Sequence, residues 1–206
     1  MIGVHPASLH VVILAAGFSV RLGEPKALAR IGGLSLLRRT IALAVSLQPE
    51  KVTVVSPRNC SRYRVEARGF KVHFTANSRR SDGLASSVRR GMAQARYSAA
   101  VLLLPVDLAA LRREDLARLI SRWRAAPRCV IARRIGSKAG TPLLLPRWRY
   151  PDAQRIAGDL GLREWASGLP ARELKTLELP SAAWDIDTPQ DLRRARRALR
   201  RNGLKA

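Results

Sequence analysis

The sequence predicts an α/β fold, a mostly parallel sheet with helices on both faces. Three observations point that way. Short apolar runs rich in β-branched residues alternate with amphipathic stretches along the chain. The connections between them are short, with no linker long enough to divide domains, so residues 1–206 read as one domain. The first run, Val11 to Leu14, is apolar at every position, as an inner strand covered on both sides must be.

After that strand, Leu34 to Leu47 is expected to form a helix beyond the Gly32-Gly33 turn. Val52 to Ser56 and Lys71 to Thr75 read as the second and third strands. Leu84, Val88, Met92 and Ala95 mark one side of a helix that begins near Asp82. Val101 to Leu104 is the fourth strand and stops at Pro105-Val106-Asp107. Leu116, Leu119, Ile120 and Trp123 recur at helical spacing. Cys129 to Ala132, Pro142 to Leu145 and Glu173 to Leu179 read as later strands. The last helix starts after Thr188-Pro189, with Thr188 as N-cap and Pro189 in the first turn. Its Leu192, Ala195 and Leu199 face inward, and arginines from Arg193 to Arg201 cover the outside.

Composition narrows the class. No apolar run approaches the ~20 residues that cross a bilayer, and the N-terminus has no secretory pattern, so a cytoplasmic protein without membrane contact is expected. Two cysteines, Cys60 and Cys129, are too few for a disulfide framework or a metal cluster. The net charge is +23, from 38 basic and 15 acidic residues, a field that attracts polyanions. The surplus is arginine scattered along the chain without aromatic interleaving, which reads as solvated helix faces and not as specific nucleic-acid binding.

Five places carry candidate chemistry. In Leu14-Ala15-Ala16-Gly17 the side chains are mostly small, so a flat or polyanionic ligand can approach the backbone amides. Gly17 and Gly23 permit a sharp turn with positive φ, and Arg21 and Lys26 put two cations beside the loop, a set suited to a triphosphate. It is neither a dinucleotide fingerprint nor a Walker loop. The polar segment from Asn77 to Ser87, including Gly83 and Ser86, opens a helix and offers hydroxyls to a base or phosphate. Asp107, at the carboxyl end of the fourth strand, suits Mg²⁺ held by one or two carboxylates and substrate phosphates. Asp185 and Asp187 share a face if extended, and either could supply a second oxygen ligand. Gly140-Thr141-Pro142 and Gly158 to Arg163 are glycine-bearing turns able to wall an acceptor pocket. No Ser-His-Asp or Cys-His set is evident, and His5, His10 and His73 lie outside these blocks, as satisfied or surface residues would.

These blocks resemble the molybdenum cofactor nucleotidyltransferases, whose LAAGxSxRxGxPK signature matches Leu14 to Lys26, and in particular their molybdopterin cytidylyltransferase branch. The resemblance extends through Asn77 to Gly91, Leu104 to Asp107, Gly140 to Pro142, Gly158 to Arg163 and Asp185 to Leu192. It implies a Rossmann-like nucleotidyltransferase fold and transfer of CMP from CTP to the terminal phosphate of molybdopterin, releasing pyrophosphate. It assigns nucleotide contacts to Leu14, Ala15, Ala16, Gly17, Arg21, Lys26, Asn77, Gly83, Ser86 and Ser87. Lys26, Arg21 and Asp107 become catalytic, Asp107 and Asp187 ligands of Mg²⁺, and Gly140, Pro142, Asp159 and Arg163 acceptor-binding. Alanine second in the loop goes with cytosine in this family and glycine with guanine, so Ala16 implies CTP over GTP. A molybdoenzyme or its chaperone is the further expected, transient partner. The chain departs from the family pattern at Ala109, Thr141 and Leu162. The competing expectations are the same chemistry on a phosphorylated sugar, polyol or alcohol, the use of GTP, and a basic nucleotide- or nucleic-acid-binding protein without catalysis.

Overall fold

A computed structural model describes residues 8–156 and 161–201, except the side chains of residues 183 and 199–201. Its seven-stranded sheet is built on β1 (Leu9–Leu14), a strand buried at every residue. The alternation expected of a strand then sorts its side chains: Leu9, Val11 and Ile13 enter one core, Val12 and Leu14 the other.

The chain next makes a small hairpin, β2 (Arg30–Ile31) and β3 (Leu34–Ser35). Gly32 and Gly33, at φ 58° and 84°, form its turn, because two consecutive positive φ values are what a tight hairpin needs. Helix α1 (Leu36–Ser46) therefore starts two residues later than the pattern suggests, capped by Ser35, whose hydroxyl accepts the Arg38 N–H at 3.0 Å. β4 (Lys51–Ser56) and α2 (Ser61–Glu66) come next, then β5 (His73–Ala76), displaced by two residues from the expected start because Lys71 and Val72 form the approach to it. The chain continues through α3 (Leu84–Met92), β6 (Ala100–Pro105) and α4 (Arg113–Ala125). The hairpin β7 (Val130–Ile135) and β8 (Lys138–Pro146) extends well beyond the expected segments. Two short helices, α5 (Tyr150–Arg155) and α6 (Gly161–Ser167), lead to β9 (Leu174–Leu177) and α7 (Pro189–Arg201).

The strand order is β5-β4-β1-β6-β8-β7-β9, with β8 antiparallel to both its neighbours and the other pairs parallel. α1 and α4 cover one face through Leu37, Ile41, Leu116 and Leu119. α3, α5 and α6 cover the other through Val88, Met92, Ala153, Leu162 and Ala166. α3 comes so close to β1 and β4 that a Cβ at Gly91 would run into the Val12 and Val55 side chains. A third cluster joins Leu192 and Ala195 of α7 to Leu22, Ile31, Leu36 and Ile186, so the inner face of the last helix is as expected as far as Ala195. The Leu199 side chain lies outside the described residues.

Two histidines have plain roles. His10 is buried, and its Nε2 lies 2.8 Å from Thr53 Oγ1 on β4; burial lowers its pKa to about 4, assisted by the Lys51 charge. His73 is exposed, and His5 falls outside the described residues. Among the described residues no helix is long and apolar enough to cross a membrane, and Cys60 and Cys129 are free thiols.

Candidate active site

A cleft of ≈ 640 Å³ opens at the carboxyl ends of β1 and β6, where an α/β sheet gathers its ligands. The loop after β1 forms one wall. Ala15 extends the strand by one residue through its N–H to Val55 O, and Ala16 and Gly17 then line the cleft. The sharp turn is not made at Gly17 as expected: Ser19 takes the left-handed conformation at φ 56°, and Gly23 at φ 78° ends the short turn Val20–Leu22. Ser19 also anchors the start of the next turn, because its Oγ accepts the Lys26 N–H at 2.9 Å. Serine tolerates this conformation when its hydroxyl can bond nearby backbone, a signal that glycine spacing hides.

Lys26 is the centre of the site. Its Nζ donates to Asp107 Oδ2 at 3.0 Å and to Asp187 Oδ1 at 2.7 Å, while Arg21 Nη2 reaches Asp187 Oδ2 at 3.0 Å. Residues 81 and 161 positions apart in sequence from the lysine thus meet on one ammonium. The segment before α7 is held against the exit of β6 by the Ile186 N–H to Asp107 O bond and the Leu108–Asp185 bridge. With Ile186 buried on one side, Asp185 and Asp187 both turn to the cleft, as the period of an extended segment requires. Asp191 secures this bend: its Oδ2 accepts the N–H groups of Asp187 and Thr188 at 3.2 and 2.8 Å, while Thr188 Oγ1 accepts the Asp191 N–H at 3.2 Å.

The electrostatics reflect that geometry. Burial works against the charge of Lys26, but the Asp107 and Asp187 carboxylates outweigh it and raise its pKa above the ordinary value. The Lys26 hydrogen bond, with the charges of Lys26 and Arg21, holds Asp187 below the usual carboxylate range despite partial burial. Asp185 goes the other way, pushed up by burial and by the Asp107 charge against the pull of Arg133.

The opening of α3 forms the roof. Gly83, Leu84 and Ser87 line the cleft. Asn77 and Ser86 do not, although the resemblance implies a nucleotide contact for both. They are buried behind it, where Asn77 Nδ2 donates to Ser86 Oγ at 2.8 Å and Ser87 Oγ at 3.0 Å, and Ser86 Oγ donates to Gly83 O at 2.8 Å. The reason is the parallel β4–β5 pairing, which carries Asn77 into the sheet end through its N–H to Ser56 O. Arg80 stacks on the Phe18 ring, 4.0 Å from its centroid, and Nη2 donates to Gly17 O at 3.1 Å, closing the roof onto the loop.

The far wall comes from β7, β8 and α6: Arg133, Ile135, Gly140, Thr141, Leu143, Leu162 and Arg163 line it. Pro142 does not; it lies on β8 at the register shift opposite Ala132 and Arg133. A Cβ at Gly140 would press on the end of the Ile135 side chain across the β7–β8 pair. Asp159 lies outside the described residues. Sequence reasoning assigned no role to Arg133, Phe18, Arg80 and Asp191; a capping pattern from Thr188 to Asp191 could have suggested the last, Phe18 and Arg80 sit at unassigned positions of matched blocks, and Arg133 carries no motif.

Asp107 Oδ2 and Asp187 Oδ1 are both engaged by the Lys26 ammonium; as carboxylate oxygens they are donors of the kind a hard divalent cation takes together with substrate phosphates. Among the described residues no group of three or more His, Cys, Asp or Glu side chains is arranged to hold a metal alone.

The seven-stranded α/β sheet, with cations and carboxylates converging at the ends of β1 and β6, is the setting in which the family match places a nucleotidyltransferase. The chain belongs to the MobA-like NTP transferase domain family, which matches residues 11–174. It is 28% identical over 193 residues to a probable molybdenum cofactor guanylyltransferase of Rhodopirellula baltica, with 91% of each chain covered. The fold is similar to that of a nucleotidyl transferase from Methanothermobacter thermautotroptrophicus (TM-score 0.80, 20% identity, 95% of this chain and 99% of that one). It is also similar to the manganese complex of Rv0371C from Mycobacterium tuberculosis H37Rv (TM-score 0.70, 22% identity, 92% and 98%).

Proposed function

We propose that this nucleotidyltransferase moves CMP from CTP to the terminal phosphate of molybdopterin. The observation that carries the reading is the convergence of Lys26, Arg21, Asp107 and Asp187 beside a loop of small residues. An acceptor phosphate oxygen attacks the α-phosphorus, a new P–O bond forms, and the bond to the β-phosphate oxygen breaks so that pyrophosphate leaves with its electron pair. The nucleophile is already ionised at neutral pH, so no general base is needed. This agrees with a cleft whose described lining contains no histidine.

The protein's work is positioning and charge neutralisation. Ala15, Ala16 and Gly17 receive the base and ribose, with Leu14 behind them and Gly83 and Ser87 above. Asn77 and Ser86 act by holding Ser87 and Gly83 in place. Lys26 and Arg21 balance charge on the triphosphate. Asp107 and Asp187 would hold the divalent metal, Mg²⁺ in this reading, which supplies further neutralisation of the phosphates when bound; the manganese complex of a structural neighbour supports a metal of this class. Thr141, Gly140, Leu162 and Arg163 face the acceptor, with Asp159 expected nearby.

Ala16 supports CTP through the resemblance, in which alanine second in the loop goes with cytosine and glycine with guanine. The name of the Rhodopirellula baltica relative favours GTP instead. Pyrophosphate release measured with CTP, GTP, ATP and UTP, each with and without molybdenum cofactor, decides between them. Release with CTP only when the cofactor is present is the expected result. Release with GTP alone replaces the base assignment, and release only with a sugar, polyol or alcohol phosphate replaces the acceptor.

A further inference from the structure

Strand β7 carries a cation for which the nucleotide chemistry has no use. Arg133 is 8% exposed, and it lines the cleft on the wall opposite the loop. Its guanidinium meets Asp185 through one contact, Nη1 to Oδ1 at 3.4 Å. Charge-assisted bonds are shorter, about 2.7–2.9 Å, and firm guanidinium–carboxylate pairs use two parallel bonds. Among the described residues the Asp185 contact is the guanidinium's one ion pair, and none of its nitrogens is both shut off from solvent and unpartnered, so the rest of the fork is open to a ligand in the cleft. Asp185 can also turn away, since half its side chain is exposed.

The sheet order explains what this cation is placed to do. Lys26 and Arg21 reach Asp107 and Asp187 from the β1 side of β6. Arg133 comes from the other side, two strands beyond β6, about 10 Å across the sheet. An NTP held by the loop side meets its own cations there, and Arg133 would remain for a second anion.

We infer that Arg133 binds the phosphomonoester end of the acceptor and orients the attacking oxygen, exchanging its long contact with Asp185 for a two-pronged one with phosphate. Arg163 stands at the rim of the same wall. An acceptor presenting a neutral hydroxyl would offer this fork no anion to pair with, so the wall favours a phosphate nucleophile. This inference rests on the nucleotidyl-transfer reading, and it adds the residue that reads the acceptor.

The test uses the full chain and two titrations by calorimetry. The first is α,β-methylene-CTP, or its GTP counterpart, with Mg²⁺; absence of binding by both overturns the nucleotide reading whatever Arg133 does. The second is phenyl phosphate added to the chain already saturated with the better analogue. Arg133→Gln is expected to weaken phenyl phosphate at least tenfold and to change the analogue's affinity less than twofold. Equal phenyl phosphate affinity, no binding to the wild type, or an equal loss for the nucleotide analogue overturns the inference. If Arg133→Gln loses its fold, Arg133→Lys keeps the charge beside Asp185 but loses the fork; a loss of several-fold for phenyl phosphate supports the inference and an unchanged affinity overturns it.

Discussion

The two walls of the cleft are built differently. On the loop wall the charged groups are held several times over: Lys26 by two carboxylates and by Ser19 at its N–H, Asp187 by two cations and by Asp191 at its own N–H. On the β7–β8 wall Arg133 has one long contact among the described residues, and Thr141, Leu162 and Arg163 come from a hairpin and a short helix. A wall that neutralises phosphates must be preorganised, because reorganising charge during reaction raises the barrier. A wall that receives a second substrate needs unspent hydrogen-bonding capacity until that substrate arrives. In the proposed function, the contrast is that of a nucleotide end and an acceptor end.

Removing the centre of the loop wall tests the contrast most severely. Lys26→Ala is expected to lower kcat by about 10²–10³ while leaving the thermal unfolding midpoint near that of the wild type. Wild-type turnover would remove the lysine from the chemistry. Asp107→Asn should abolish the increment in CTP affinity that Mg²⁺ provides, as read by calorimetry with and without the metal.

The strand beneath the loop makes a separate, pH-dependent contribution. His10 has a folded pKa of about 4 against 6.5 ordinarily, so the unfolded chain takes up its proton first as pH falls. The stability it contributes is complete above pH 6.5 and is lost progressively down to pH 4, to a total of about 3 kcal/mol. Urea unfolding between pH 7 and 4.5 should show a shallower decline in His10→Gln than in the wild type; parallel curves would mean that the imidazole is not kept neutral by the fold.

Smaller effects separate base from acceptor. Ala16→Gly is expected to shift the CTP-to-GTP ratio of kcat/KM toward GTP by about tenfold, the worth of a methyl-sized gap in a pocket. An unaltered ratio would move base recognition elsewhere. Thr141→Ala should raise the acceptor KM by about fivefold, the loss of one hydrogen bond, with the CTP KM unchanged. A change in the CTP constant alone would break the division into two walls.

Legibility differs along the same line. The strands β1, β4 and β6 are readable because burial on both faces demands uninterrupted apolar runs. The helices α3 and α4 are readable from their periodicity. The β2–β3 hairpin escapes a sequence reading because two-residue strands leave no pattern, although Gly32-Gly33 announces its turn. The short helices α2, α5 and α6 escape it for the same reason, being too brief to establish a repeat. Lys26, Asp107 and Asp187 stand out because each belongs to a recognisable motif. Arg133 sits in an ordinary strand and is indistinguishable in sequence from the many surface arginines around it.

The amino-acid sequence by itself determined the elements that local chemistry dictates: apolar strands, capped amphipathic helices, and motif residues able to bear charge near a phosphate. Which charges meet was decided only by the tertiary structure. The parallel crossovers bring the ends of β1 and β6 and the bend before α7 to one edge of the sheet, and the antiparallel β8 brings β7 to the same cleft. An arginine that solvent would hydrate on a helix becomes, at that edge, a buried cation with hydrogen bonds to give. The physical reason is that burial and proximity set the energy of a charge, and both depend on residues distant in the chain.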